Sequence, residues 1–436
     1  MSFDQLSIGF SSKEVTPWGG IALLKKMLVS MNFDNEFSHW NFPLQNSNRG
    51  YNPKQLIEQF MVSIWCGGSR FVHNESIRFD TALANIFGWN RVAAHKSIVR
   101  YFNKFNQENS SFCNSKTYQF INRNISIPTV TLDVDSTVVT RYGEQQEGAT
   151  KGYNPKKKGR LSHHPLMAFI AESKSVANFW LRDGKASSAN NFEEFLNETM
   201  IHLGKINVGL LRADSGFFKN KILRYLEAKT INYIISCRMN FSLQNHIADP
   251  NNRWWPIAKG IDICEFTYKA NNWEKPRRTI AIRQHIKQRT NCYGKSLSLF
   301  ANDESFKNYK YSSYCTSLTL SGEQVYRLYN QRADCENRIK ELKSDFGLDA
   351  FNVKSFYATE AALGIAMLAY NLMSLFRQAI MRSKIAHTLS TLHGKVFAIG
   401  ATWNEKTTPN NTKLQQLILF LPRKKRKWFL SLWNNA

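Results

Sequence analysis

Acid is scarce in this sequence. Asp and Glu number 33 against 58 Lys and Arg, a net charge of +25 over 436 residues. That excess is larger than solubility requires and predicts a polyanionic partner. Nucleic acid is the first candidate and an anionic membrane surface the second. The cations are interleaved with aromatics along the whole chain and form no single amphipathic anchor, so no membrane partner is expected. Cysteine is sparse too: Cys66, Cys113, Cys237, Cys264, Cys292, Cys315 and Cys335 stand singly, with no Cys-x-x-Cys pair. This argues against a zinc site and for reduced thiols in a cytoplasm. The opening MSFDQLSIGFSSKE lacks the basic and apolar regions of a signal peptide. The longest uncharged apolar run, Ala361 to Phe376, is short for a membrane span and reads as a buried helix. No internal repeat or low-complexity block is present.

What is there is enough chain for about two to four domains with ample core. Residues 1–122 read as helical, with candidate helices at Trp18 to Asn32, Pro53 to Trp65, Thr81 to Phe87 and Lys96 to Asn106. Pro53 suits a first helical turn, and Gly67-Gly68 stops that helix. The stretch from Asp80 to Phe105 is a short helix, a break at Gly88 and a basic helix. It is compatible with a helix-turn-helix presenting His95, Lys96, Arg100 and Lys104 to DNA, and equally with a plain helical hairpin.

From Pro128 the period changes to two. Val130, Leu132 and Val134 share one face of a strand, and Thr131, Asp133 and Asp135 share the other. Acids are depleted from strands, so such a pair marks a solvated edge or a metal ligand. The following loop, GYNPKKKGRLSHHP, carries Tyr153, Lys156, Lys157, Lys158 and Arg160 and is a candidate phosphate clamp. Leu166 to Ala171 reads as a strand, Asn190 to Leu203 as a helix, and Asn207 to Ala213 as an apolar strand ending in Asp214-Ser215-Gly216. Carboxyl ends of central strands are where α/β folds place ligands, although Asp214 also suits capping of a Phe217 to Lys229 helix. After a strand at Ile231 to Cys237, the runs IDICEFTYKA, RTIAIRQHI and SLSLFAND predict an inserted antiparallel β subdomain over 238–318. The tail, 381–436, is expected to be a basic helical region with PRKKRKWF suited to backbone contact.

One stretch ties these together. In YNQRADCENRIKELK, on a helix expected to start near Ser321, Tyr329, Arg332, Glu336 and Lys343 fall at about 100° per residue within a stripe roughly 60° wide. Acid, base and phenol on one stripe suit a metal ion beside an anionic phosphate; a surface ion-pair ladder is the plain alternative. Asp135, Asp214 and Glu336 are then three separated carboxylates that, if they converge, could hold two divalent ions for phosphodiester cleavage.

The strand-Asp, strand-Asp, helix-Glu order resembles DDE transposases with an RNase H-like catalytic core. Tyr329, Arg332, Glu336 and Lys343 match the Tyr-Arg-Glu-Lys motif of bacterial insertion-sequence transposases. DVDST, GYNPKKKGRLSHHPL, LRADSGF and VTPWGGIALL resemble the branch akin to piggyBac. The resemblance implies an α/β fold: an RNase H-like core, a mixed β-sheet flanked by helices, split into 123–237 and 319–380 around the insertion. A helical DNA-binding and dimerisation domain would occupy 1–122. It implies Asp135, Asp214 and Glu336 as catalytic metal ligands, with Asp133 as the alternative to Asp135, and Tyr329, Arg332 and Lys343 as DNA contacts. It further implies two Mg²⁺ ions, for which Mn²⁺ can substitute. Double-stranded DNA, as inverted-repeat ends and target, would be the partner of a homodimer in a bacterial cytoplasm, associated with the nucleoid. An aromatic of the insertion, among Trp254, Trp255, Trp273, Tyr309 and Tyr311, would hold a flipped base.

Overall fold

The computed structural model describes residues 8–10, 12–46, 50–286, 309–383, 387–407 and 413–436. Cys292 and the strand expected at SLSLFAND lie outside them. The chain forms two compact units, residues 122–144 with 148–339, and residues 1–121 with 145–147 and 340–436.

The first of these units is built on a nine-stranded sheet. Third from one edge is Thr129–Ser136, antiparallel to Leu166–Ile170 on one side, itself antiparallel to the edge strand Val176–Trp180, and parallel to Asn207–Ala213 on the other. Asn207–Ala213 in turn runs parallel to Asn232–Ser236. Helices Phe192–Leu203 and Asn220–Ala228 precede the second and third of these parallel strands, as parallel pairing requires a crossover. Alternation in TVTLDVDS seats Val130, Leu132 and Val134 in the core, each worth about 1.5–3 kcal/mol of transfer.

The segment expected as an inserted β subdomain forms Trp255–Ala258, Ile261–Tyr268, Arg277–His285 and Tyr309–Thr316, paired antiparallel in sequence. Tyr309–Thr316 then pairs with Asn232–Ser236, so these strands continue the central sheet. A strand period of two is visible in sequence, whereas the edge on which a strand docks is set by non-local pairing.

In the other unit, local signals place the helices well. Pro53–Trp65 starts with Asn52 accepting the Lys54 N–H at 2.9 Å and ends at Gly67, whose φ of +92° suits glycine. Thr81–Phe87 is capped by Asp80, which accepts from Leu83 N–H at 2.7 Å. The helix expected from Lys96 is His95–Phe102. Phe356–Phe376 is the core helix, buried from Ala358 onward except at Glu360, and the Trp65 indole donates to its Ala369 carbonyl. Extended to Met381 this helix is long and apolar enough to cross a membrane, but 94% of its most apolar window is inside the protein, as in a soluble core.

The helical expectation for 381–436 is corrected over 401–419. Ala401–Thr407 and Lys413–Leu419 form an antiparallel pair, and Val15–Thr16 adds a third strand. The partner that makes this sheet lies at the other end of the chain, out of reach of local pattern. Arg423–Asn435 is helical as expected.

Candidate active site

Asp135 stands at the carboxyl end of the strand Thr129–Ser136. Parallel register pairs Val134 with Ala213 on the neighbouring strand, so the next residues, Asp135 and Asp214, lie side by side at the strand ends. The Asp214 carboxylate accepts from Gly216 N–H at 2.9 Å and so caps the 3₁₀ turn Ser215–Phe217. The expected capping of a Phe217 to Lys229 helix is corrected: the α-helix is Asn220–Ala228, with Lys219 at its N-cap position. Asp135 accepts from Ser136 N–H at 2.8 Å, and the Ser136 and Ser188 hydroxyls are 2.8 Å apart.

The YNQRADCENRIKELK stretch corrects the single-helix expectation. One helix, Gly322–Asn330, starts at a capping box on Ser321 and ends before Gln331; a second, Ala333–Ser344, follows. At the break, Arg332 N–H bonds Tyr329 carbonyl at 2.9 Å and Cys335 N–H bonds Arg332 carbonyl at 2.9 Å, tighter than α-helical spacing. The cause is tertiary: the Arg332 guanidinium reaches Asp135 at 3.0 Å and the Val134 carbonyl at 3.2 Å. The Tyr329 hydroxyl donates to Ala213 carbonyl at 3.4 Å, and its ring lies 4.3 Å from that of Tyr314. The break therefore sits over the ends of the two aspartate strands.

Electrostatics join the acids. Burial pushes the Asp135 carboxyl up to about 6; Arg332 pulls it down, while Asp214 and Glu336 push it up again. Burial opposes the charge of Arg332, but Asp135 holds it protonated. Burial raises the Tyr329 phenol to about 12, so it stays a donor near neutrality. Glu336 is exposed. Among the described residues no three His, Cys, Asp or Glu side chains are close enough to hold a metal ion by themselves. A hard divalent cation nevertheless suits the set. Mg²⁺ takes one or two carboxylates and completes its shell with water and phosphate oxygens, and Asp135 is a buried carboxyl further destabilised by two acids.

Asp133, the alternative ligand, has another occupation. Arg212 Nε and Nη2 donate to its two oxygens at 2.7 and 2.8 Å, both side chains nearly fully buried, and Arg212 Nη1 donates to the Leu328 carbonyl. This clamp fastens the end of the 322–330 helix to the strands. The sequence signal was there: an arginine inside the strand read as apolar. His164 was also missed. Its Nδ1 donates to the Ala186 carbonyl if that nitrogen carries the proton, burial lowers its pKa, and Asp214 opposes that shift.

The basic loop is framed by a three-stranded sheet of Val139–Thr140, Leu161–His163 and Thr150–Lys151. Tyr153, Lys156, Lys157, Lys158 and Arg160 are all exposed, and buried Asn154 anchors them through Thr140 and Lys157 N–H. Lys343 falls in the other unit, paired with Asp349 at 3.6 Å. Of the helix-turn-helix residues, His95 is 2.6 Å from Glu75 and Lys104 donates to Asn46. Among the candidate aromatics, Trp273 and Tyr311 are buried, Trp255 is 51% exposed, and Arg283 lies over the rings of Trp254 and Tyr309.

Over residues 2–417 the chain matches the family described as transposase DDE domain group 1, a family that uses divalent metal ions. No curated protein matches the chain. Among solved structures it is similar to a piggyBac transposase synaptic complex with hairpin DNA, at 11% identity, a TM-score of 0.44 and coverage of 86% of this chain and 78% of that one.

Proposed function

The chain belongs to the transposase DDE family, and on that premise we propose that it cuts and joins DNA at the Asp135, Asp214 and Glu336 site. One observation carries the reading: acids far apart in sequence act on one buried carboxyl, with Arg332 against it. The strand order, an antiparallel meander followed by two parallel strands with helices before them, supports an RNase H-like core. The net charge of +25 supports DNA as the polyanion.

In this mechanism Asp135, Asp214 and Glu336 would hold divalent ions, two Mg²⁺ with Mn²⁺ as a substitute, and the chemistry these would supply is activation of the attacking oxygen and stabilisation of the leaving one. Arg332 and the protonated Tyr329 bind the scissile phosphate and orient it, Arg332 offsetting charge that builds on the phosphoryl oxygens. Lys343 and the loop of Tyr153, Lys156, Lys157, Lys158 and Arg160 hold flanking phosphates. Water adds to phosphorus as the phosphorus–O3′ bond breaks, leaving a 5′-phosphate and, with a proton from that water, a 3′-hydroxyl. This hydroxyl then attacks a phosphorus of the opposite strand or target DNA, whose own phosphorus–O3′ bond breaks and whose departing oxygen takes the proton. The protein acts as a homodimer on inverted-repeat ends, by cut and paste, in the bacterial cytoplasm at the nucleoid.

Glu336→Gln tests this directly, because an exposed side chain can be changed with little effect on folding. The variant is expected to retain gel-shift binding to the element's ends and to lose Mg²⁺-dependent nicking. Nicking at the wild-type rate would remove Glu336 from the site. Nicking by the wild type without transfer of a 3′ end to a second duplex would make the protein a nuclease.

A further inference from the structure

A second candidate site lies within the unit formed by the chain ends. A cavity of about 460 Å³ is lined by Met381, Ser383, His387, Lys395, Lys425 and Trp428, within the size range of small-ligand sites. Two cations, an imidazole and an indole 37% exposed are the groups that bind a phosphate and a flat ring. Lys395 and Lys425 are exposed, and among the described residues neither pairs with a carboxylate. Lys425 belongs to Arg423, Lys424, Lys425, Arg426 and Lys427, which open the last helix with no acid in its first turn and no side-chain cap on Pro422. Cations repel one another there and oppose the positive end of the helix dipole; a bound anion relieves both costs. Beside the cavity, burial together with Lys395 and Arg377 lowers the His387 pKa, so the imidazole is a neutral hydrogen-bonding group near neutrality.

We propose that this pocket binds one nucleotide of an unpaired DNA strand, its phosphate on Lys395 and Lys425 and its base against Trp428. The choice of DNA as the polyanion rests on the proposed function; the pocket chemistry does not. An indole face in a concavity reaches a base only where the base is free of its partner, whereas surface lysines alone would serve a duplex.

The test uses the full chain without divalent metal, so that binding is read apart from cleavage. Fluorescence anisotropy would follow a labelled oligothymidylate, a duplex of equal length, and competition by dTMP. Trp428→Ala is expected to weaken single-strand binding about tenfold, since stacking on an aromatic ring contributes on that order, and to spare the duplex. Trp428→Phe, which keeps a ring, should recover most of it. Lys395→Gln with Lys425→Gln should flatten the salt dependence for single strands by about 0.7 in log–log slope, the value for the one phosphate the two lysines neutralise. Unchanged single-strand affinity in both the Ala and the double Gln variants overturns the proposal. Equal loss of duplex binding in Trp428→Ala overturns the unpaired-base assignment, and dTMP binding as tightly as the strand makes the site one for free nucleotides. A wild type that never nicks ends but loses single-strand binding through Trp428→Ala would sink the proposed function and leave the pocket standing.

Discussion

Asp133→Asn should destabilise this protein far more than Asp135→Asn, although the two carboxylates sit two residues apart on one strand. Asp133 and Arg212 form a two-point ion pair at 2.7 and 2.8 Å, each about 2–3% exposed. Replacing the carboxylate by an amide leaves the guanidinium buried without a counter-charge, a change that costs about 3–5 kcal/mol. Asp135 is the opposite case. Its rise from 3.8 to about 6 means that the ionised form at neutral pH opposes folding by about 3 kcal/mol, a cost the amide removes and that offsets the loss of the Arg332 counter-charge. Thermal and guanidinium melts at neutral pH without divalent metal should therefore rank Asp133→Asn well below wild type and Asp135→Asn close to it. The double variant Asp133→Leu with Arg212→Met should regain more than half of the loss, a coupling of at least about 2 kcal/mol. An Asp133→Asn protein that melts with the wild type, or an Asp135→Asn protein that falls as far, would refute the division between a carboxylate that holds the fold and one that serves the site.

Further outcomes are expected. A carboxyl whose folded pKa is raised contributes stability that is fully present below pH 3.8 and lost as pH rises through about 6. A divalent ion must displace that proton, so the Mg²⁺ concentration giving half of the melting-temperature increase should climb about tenfold per pH unit below 6; a flat dependence across pH 6 would count against Asp135 as a ligand. Replacing Lys156, Lys157 and Lys158 by Ala should lower the log–log salt slope of duplex binding by about 0.9 for each phosphate that is no longer neutralised. These side chains are exposed, so the melting temperature should not move, and an unchanged slope would remove the loop from the DNA surface.

Much of this protein was legible in sequence because the signals are local. Pro53 and Gly67 bound one helix and Gly88 ends another, a period of two located the Asp135 strand, and an apolar run located the strand ending at Ala213. Each depends on residues within one or two turns of one another, so the pattern and its physical cause occupy the same stretch of chain. Tertiary structure alone decided the rest. Arg332 breaks a helix that its own sequence would continue, because Asp135 and the Val134 carbonyl, almost two hundred residues earlier, take its guanidinium. Asp133 and Asp135 look interchangeable on one strand face until Arg212, 79 residues on, claims the first. Val15–Thr16 pairs with the Ala401–Thr407 strand. Charges and strand edges find their partners across chain separations that no periodicity encodes; the sequence supplies the groups, and only folding decides which of them a given carboxylate meets.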